Sequence, residues 1–167
     1  RSLPAADRST RSGKWEKSRF MGVEVAGKTL GLVGCGNIGS IVAGLAQGLA
    51  MRVIVYDPYI SPERAAELGV EKVELDALLA RADFISLHVP LNDQTRGMID
   101  GAAMARMKSG VFIINCARGG LVIEDDLAAA IGAGQVAGAA LDVFEVEPKT
   151  ESPLFALEQV IVTPHLG

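Results

Sequence analysis

A chain of 167 residues, 49% hydrophobic and 22% charged, is long enough to bury one full core and too apolar to stay disordered. Its net charge of −4 gives no general attraction to nucleic acid or to a membrane surface, and no uncharged apolar run reaches the ~18 residues of a membrane span. Two cysteines, Cys35 and Cys116, are too few for a disulfide framework and lack metal-ligand spacing, so reduced thiols in a cytoplasmic protein are expected.

The first twenty residues hold six Lys or Arg against two acids. A solvated basic lead or linker helix over residues 1–22 is a simpler reading than a nucleic-acid-binding arm, because only Trp15 and Phe20 supply aromatics. The chain opens on Arg1-Ser2-Leu3-Pro4 without a start methionine or signal-peptide pattern. It closes on Thr163-Pro164-His165-Leu166-Gly167, and a segment of a longer protein is expected.

The first strand expected is the apolar run Thr29–Val33, followed by Gly34-Cys35-Gly36-Asn37-Ile38-Gly39 and a helical stretch over Ser40–Ala50. Gly-x-Gly-x-x-Gly spacing alone is a weak signal in a chain with 19 glycines. Its setting strengthens it: a second buried strand, Arg52–Tyr56, ends at Asp57, 18 residues after Gly39. That is the layout of a dinucleotide-binding βαβ unit. Gly34 would allow the tight turn, Gly36 the approach of backbone to a pyrophosphate, and Gly39 the packing of helix on strand. The helix N-terminus would meet the phosphates with free N–H groups. Asp57 would bond the ribose hydroxyls and repel a 2′-phosphate, which favours NAD over NADP.

Four more strands are expected at Phe84–Val89, Val111–Asn115, Ala137–Leu141 and Val160–Thr163. Helical composition fills Pro62–Leu68, Asp76–Ala82 (with Asp76 as its N-cap), Ala102–Met107 and Glu124–Ala133. Near-continuous apolar strands alternating with helices predict an α/β fold, a doubly wound parallel (Rossmann) sheet in the order 3-2-1-4-5-6. In such sheets ligands bind beyond the carboxyl ends of the strands. Those ends carry Gly34–Gly39, Asp57, His88-Val89-Pro90, Cys116-Ala117-Arg118-Gly119-Gly120, Asp142 and His165. Both histidines of the chain and several isolated charges thus fall on one edge, which marks it as a working site.

Arg118, beside two glycines, could present its guanidinium fork to a carboxylate or carbonyl oxygen; a surface arginine in a loop explains it equally well. His165 has the residue type of a general acid–base, though a satisfied surface histidine is the ordinary alternative. Glu147 lies 18 residues before it. If the two meet, the carboxylate orients the ring and favours imidazolium; a solvated acidic loop is the alternative for Glu145 and Glu147. His88 reads as structural, shaping the turn into Pro90. Metal ligation is poorly supported, since no Cys/His cluster accompanies the histidines.

Five ordered segments together resemble the NAD-dependent D-2-hydroxyacid dehydrogenases. They are Gly34–Gly39 with Asp57; His88-Val89-Pro90-Leu91; Asn115 through Gly120; Asp142-Val143-Phe144-Glu145-Val146-Glu147-Pro148; and Thr163 through Gly167. The lead Ser12-Gly13-Lys14-Trp15-Glu16 through Phe20-Met21-Gly22 extends the likeness, which runs from about Gly13 to Gly167. The resemblance implies that Arg118, Glu147 and His165 are the catalytic arginine, acid and histidine. It also implies that Asn37, Ile38, Asp57, Pro90, Cys116 and Asp142 line the NAD site, Asp142 near the nicotinamide amide, with Ala117, Arg118 and His165 beside them. Residues 23–167 would be the NAD-binding domain of an enzyme acting on a small 2-hydroxy acid. Its substrate domain would lie outside this chain, and the full-length protein would be a homo-oligomer. The rival reading is a non-catalytic, corepressor-like NAD-sensing module, which needs Asp57 but has no use for Arg118, Glu147 and His165 together.

Overall fold

The computed structural model describes residues 2–167; Arg1, the first residue of the expected lead, lies outside the described residues. The lead forms helix α1 (Leu3–Arg11), none of whose residues is buried, and a 3₁₀ turn at Lys17–Phe20. Strand β1 (Thr29–Val33) then enters the core, buried along its whole length. Helix α2 (Asn37–Gly48) follows, then β2 (Arg52–Tyr56), α3 (Pro62–Glu67), β3 (Glu71–Lys72), α4 (Leu75–Arg81) and β4 (Phe84–Leu87). The chain continues through α5 (Gly101–Ala105), β5 (Val111–Asn115), α6 (Glu124–Gly132), β6 (Val136–Leu141) and β7 (Val160–Val162).

The seven strands form one sheet in the order β3-β2-β1-β4-β5-β6-β7, and every pairing is parallel. The order 3-2-1-4-5-6 predicted from the sequence holds, extended by β7, although the strand expected third, Phe84–Val89, is β4 and pairs with β1. Its third position is taken by Glu71–Lys72, a strand absent from the sequence reading. Two exposed charged residues give no apolar run to detect, and only the backbone of Ile54 and Val55 shows where they pair.

Other differences lie at element ends. Helix α2 starts at Asn37 rather than Ser40, so the last three residues of the glycine motif are its first turn. Asp76 is not the N-cap of α4. Glu74, extended at φ −73° and ψ 157°, holds that position, while Asp76 sits inside the first turn and faces Arg106 at 3.3 Å. Helix α5 begins a residue early because the Asp100 carboxylate accepts the Ala103 N–H at 2.7 Å, a side-chain cap.

Side-chain alternation along the strands makes two cores. Leu30, Leu32, Val53 and Val55 face α2 and α3 through Ala43, Ala46 and Ala65. On the other face Ile54, Ile85, Leu87, Val111 and Ile113 meet Leu78 and Leu79 of α4, Met104 of α5, and Leu127 and Ile131 of α6. Helices on both faces hide the central strands, which is why those strands read as apolar runs. Among the described residues no helix is long and apolar enough to cross a membrane.

Helix α4 crosses β1 closely. A Cβ on Gly31 would lie 2.7 Å from Leu78 Cδ2 and 2.9 Å from Ala82 Cβ, inside contact distance. Gly31→Ala should therefore destabilise the fold by about 1–3 kcal/mol through overpacking. Chemical denaturation measures this, and an unchanged midpoint would mean that α4 yields without cost.

Candidate active site at the carboxyl edge of the sheet

The glycine loop is shaped by two kinds of constraint. Gly34 sits at φ +95°, and a Cβ there would come within 2.9 Å of the His88 carbonyl carbon and oxygen. A Cβ on Gly39 would collide with the Gly34 carbonyl oxygen. Protein packing alone therefore requires glycine at both positions. Gly36 is different: its φ is −71°, and a Cβ would meet nothing within 4 Å. Nothing in the protein's own packing demands glycine at Gly36, and the backbone there is open to an approaching group.

The donors above Gly36 are ready for an anion. Gly36 is the N-cap of α2, and no side chain caps that helix, which leaves its first-turn N–H groups available. Asp57, at the end of β2, fixes the loop from below: Oδ2 accepts the Cys35 N–H at 2.7 Å and Oδ1 the Tyr59 N–H at 2.8 Å. Each oxygen keeps a further lone pair for a hydroxyl donor. An open glycine, free helix N–H groups and a neighbouring carboxylate acceptor together fit the pyrophosphate and ribose of a dinucleotide.

Next along the edge, His88 packs its backbone under Gly34, and its ring Nε2 lies 3.0 Å from Ser86 Oγ. Burial pushes its pKa down and keeps the ring neutral. This is the structural role that the sequence assigned to it. Pro90 leads into a turn closed by Thr95, whose hydroxyl donates to the Pro90 carbonyl at 2.6 Å.

Arg118 is exposed, its Nη1 donating to the Ala117 carbonyl at 2.5 Å. The neighbouring glycine supplies close packing rather than flexibility, since a Cβ on Gly119 would overlap the Phe144 carbonyl. Among the described residues, no hydrogen bond joins Arg118 to Glu147 or His165.

Glu147 and His165 do meet. His165 Nδ1 lies 2.7 Å from Glu147 Oε2, while Glu147 Oε1 accepts the Phe144 N–H at 2.8 Å. The His165 contact, then the Phe144 N–H, lower the pKa of Glu147, so it is an ionised acceptor. Nδ1 must then carry the proton, and Nε2 is left as the nitrogen that can take or give one. His165 itself sits at φ +55°, a left-handed region uncommon for residues with a Cβ.

Asp142 anchors that segment. It is 4% exposed, and its carboxylate accepts the Thr163 hydroxyl at 2.5 Å and the N–H groups of Leu166 and Gly167 at 2.9 and 2.8 Å. Its own carbonyl accepts the His165 N–H at 2.9 Å. The Thr163 hydroxyl first, then the two N–H groups, hold the carboxyl well below its usual range, at about 2.

Asn115 and Thr163 were not among the sequence-derived site residues. A polar side chain closing an apolar strand just before a turn was the available signal for Asn115. Neither thiol is activated: burial first, then a carboxylate (Asp57 or Asp142), raises the pKa of Cys35 and of Cys116. Among the described residues no group of three or more His, Cys, Asp or Glu is placed to hold a metal ion.

Residues 1–167 match the model of the D-isomer specific 2-hydroxyacid dehydrogenase, NAD binding domain. The chain belongs to that family and is its NAD binding domain. It is 56% identical over its whole length to the D-3-phosphoglycerate dehydrogenase of Mycobacterium tuberculosis strain H37Rv, covering 32% of that protein. It is 47% identical to the rat (Rattus norvegicus) enzyme of the same name, again over its whole length and covering 31% of it. The chain thus spans about a third of the curated relatives that it matches. Among solved structures, it superposes on a glyoxylate reductase from Paecilomyes thermophila with a TM-score of 0.92 and 38% identity, over 100% of this chain and 51% of that one. The NAD-complexed D-isomer specific 2-hydroxyacid dehydrogenase of Lactobacillus delbrueckii ssp. bulgaricus gives a TM-score of 0.80 at 34% identity, over 91% and 50%.

Two tests follow from the geometry. Gly36→Ala should leave the fold within about 1 kcal/mol of wild type, as nothing touches the new Cβ, yet weaken NAD at least ~10-fold by blocking the approach of backbone to phosphate. Paired denaturation and NAD titration would show it; undiminished affinity would mean that the loop does not carry the pyrophosphate. The Asp142 carboxyl is lowered from 3.8 to about 2. Its hydrogen bonds therefore stabilise fully above the unfolded value and are lost as pH falls through the folded one. Protection factors of the Leu166 and Gly167 amides should fall between about pH 4 and pH 2, ahead of those of the β1 amides. Protection lost together with β1 would argue against that staple.

Proposed function

We propose that this domain is the cofactor-binding part of an enzyme that oxidises a D-2-hydroxy acid, with 3-phosphoglycerate as substrate and 3-phosphohydroxypyruvate as product, a step of serine biosynthesis. The observation that carries the reading is the 2.7 Å contact between His165 and Glu147 on the edge that also bears the uncapped α2 N-terminus. A protein that only senses NAD has no use for an imidazole oriented by a carboxylate. The likeness to D-3-phosphoglycerate dehydrogenases supports the choice of acid.

In this reading the pyrophosphate lies over Gly34, Gly36, Asn37, Ile38 and Gly39, and the ribose lies on Asp57. Pro90, Cys116, Ala117, Arg118, Asp142 and His165 line the remainder. NAD, when bound, supplies the hydride acceptor. Arg118 binds the carboxylate end of the acid through its fork. His165, with Nδ1–H held by Glu147, accepts the C2 hydroxyl proton at Nε2 and returns it in the reverse direction. The Glu147 carboxylate stabilises the imidazolium that forms.

Residues 1–22 serve as a basic lead and residues 23–167 as the cofactor domain, with a substrate domain supplied by the rest of the protein. The threefold greater length of the relatives supports that division. We further propose that the enzyme is cytoplasmic and works as a homo-oligomer, for which the exposed Leu3, Trp15 and Met21 provide apolar surface. Its net charge of −4 weighs against a nucleic-acid partner.

The test is NADH formation by the full-length protein against a panel of 2-hydroxy acids that includes 3-phosphoglycerate. Turnover of that acid is expected. NAD binding without turnover of any acid would favour the corepressor-like module instead. In the same protein Glu147→Gln should lower kcat by about 10²-fold or more, the scale of an acid–base contribution. The pH limb of oxidation that requires an unprotonated Glu147–His165 pair should move to lower pH, because the lost carboxylate favoured the imidazolium. A limb at the wild-type pH would show that the pair does not act together.

A further inference from the structure

We propose that Asn115, Asp142 and Thr163 form one hydrogen-bonded frame that sets the spacing between Arg118 and His165, making Asn115 and Thr163 positioning residues. This inference rests on the reading of Arg118 and His165 given above.

The frame can be followed bond by bond. Asn115 ends β5 with its side chain folded inward, 2% exposed. Its Nδ2 donates to the Arg118 carbonyl at 2.9 Å, and its Oδ1 accepts the Ala117 N–H at 3.1 Å. One buried amide thus closes the turn that carries Arg118. The Asn115 carbonyl accepts the Asp142 N–H at 3.0 Å, which passes the restraint to the next strand end. Asp142 then gathers the last segment: its carbonyl takes the His165 N–H, and its carboxylate takes the Thr163 hydroxyl. Three hydrogen bonds therefore separate the Arg118 backbone from the His165 backbone, all of them anchored on parallel strands. No fully buried side-chain nitrogen or oxygen among the described residues lacks a partner, so the frame is complete.

The chemistry explains the residue types. The turn at 115–118 needs one donor and one acceptor on a short planar group, which Asn supplies. An ionised Asp would set a second oxygen against the Arg118 carbonyl. Asp142 needs donors only, and the Thr163 hydroxyl is one that Val, with the same shape, lacks. His165 at φ +55° does not hold that conformation by its own preference. A 2-hydroxy acid is short, so the group that grips its carboxylate and the group that takes its C2 proton must stand at one fixed spacing. Small misplacements of that kind cost orders of magnitude in rate. A frame joining the two backbones meets that demand, and within it Asn115 and Thr163 act through their neighbours rather than on substrate or cofactor.

The experiment uses the full-length protein with NAD and 3-phosphoglycerate. Thr163→Val should lower kcat by about tenfold, the scale of one charge-assisted hydrogen bond, and shift the pH limb of the Glu147–His165 pair, while NAD affinity stays near wild type and the melting temperature falls with the lost Asp142 hydrogen bond. Thr163→Ser, which keeps the hydroxyl, should restore both. Asn115→Leu should instead raise KM for the acid by about tenfold by displacing Arg118, leaving the pH limb in place. A merely structural role would lower the melting temperature and move neither KM nor the pH limb. Arg118→Ala and His165→Gln are measured alongside. If they abolish turnover while Thr163→Val and Asn115→Leu keep wild-type kcat, KM and pH limb, the frame is overturned and the reading of the site stands. If Arg118→Ala and His165→Gln keep full turnover, that reading falls and the frame with it. Thr163 is only half-buried, beyond the end of β7, so its variants decide the matter even where Asn115→Leu does not fold.

Discussion

Every strand pairing in this domain is parallel, and the rest of the structure depends on that constraint. Adjacent parallel strands cannot be joined by a tight turn, so the chain must cross over a face of the sheet between them. The crossings cover both faces and produce the two apolar cores. They also deliver every strand's carboxyl end to the same edge. Gly34–Gly39, Asp57, Pro90, Arg118, Asp142 and His165 lie along one edge because strand direction leaves them no other place.

Along that edge two demands are separable. Packing fixes Gly34 and Gly39, whose missing Cβ atoms make room for the backbone of His88 and of the loop itself, and Gly119, which lies against Phe144. No such contact constrains Gly36, whose backbone stays open. The charged groups divide in the same way. Asp142 is buried and accepts three hydrogen bonds from its own chain, whereas Arg118 is exposed and makes only a local contact. A buried carboxylate without those donors would be costly to ionise; the Thr163 hydroxyl, then the two N–H groups, outweigh that cost and hold its pKa low. The exposed arginine keeps most of its fork free for an anion from outside.

Strands and their order were readable because a sheet hidden on both faces writes itself as apolar runs, as in Val111–Asn115 and Thr29–Val33. Glu71–Lys72 escaped for the opposite reason: an edge strand of two exposed charged residues carries no hydrophobic signature. The start of α2 was misplaced by three residues because Asn37-Ile38-Gly39 reads as loop by composition. Only the backbone shows Gly36 in the capping position. Asp76 has the residue type of a cap, yet the extended backbone at Glu74 sets where α4 begins.

Sequence by itself determined the family, the sheet and the edge on which the chemistry sits, since motif order and hydrophobic period are local properties written residue by residue. It could name Glu147 and His165, but a separation of 18 positions left their contact open. The tertiary structure decided that contact, together with the Asn115 and Asp142 hydrogen bonds and the left-handed backbone of His165. These depend on how far apart two strand ends stand and which way a loop returns. Such distances come from the packing of the whole sheet, and no single stretch of residues records them.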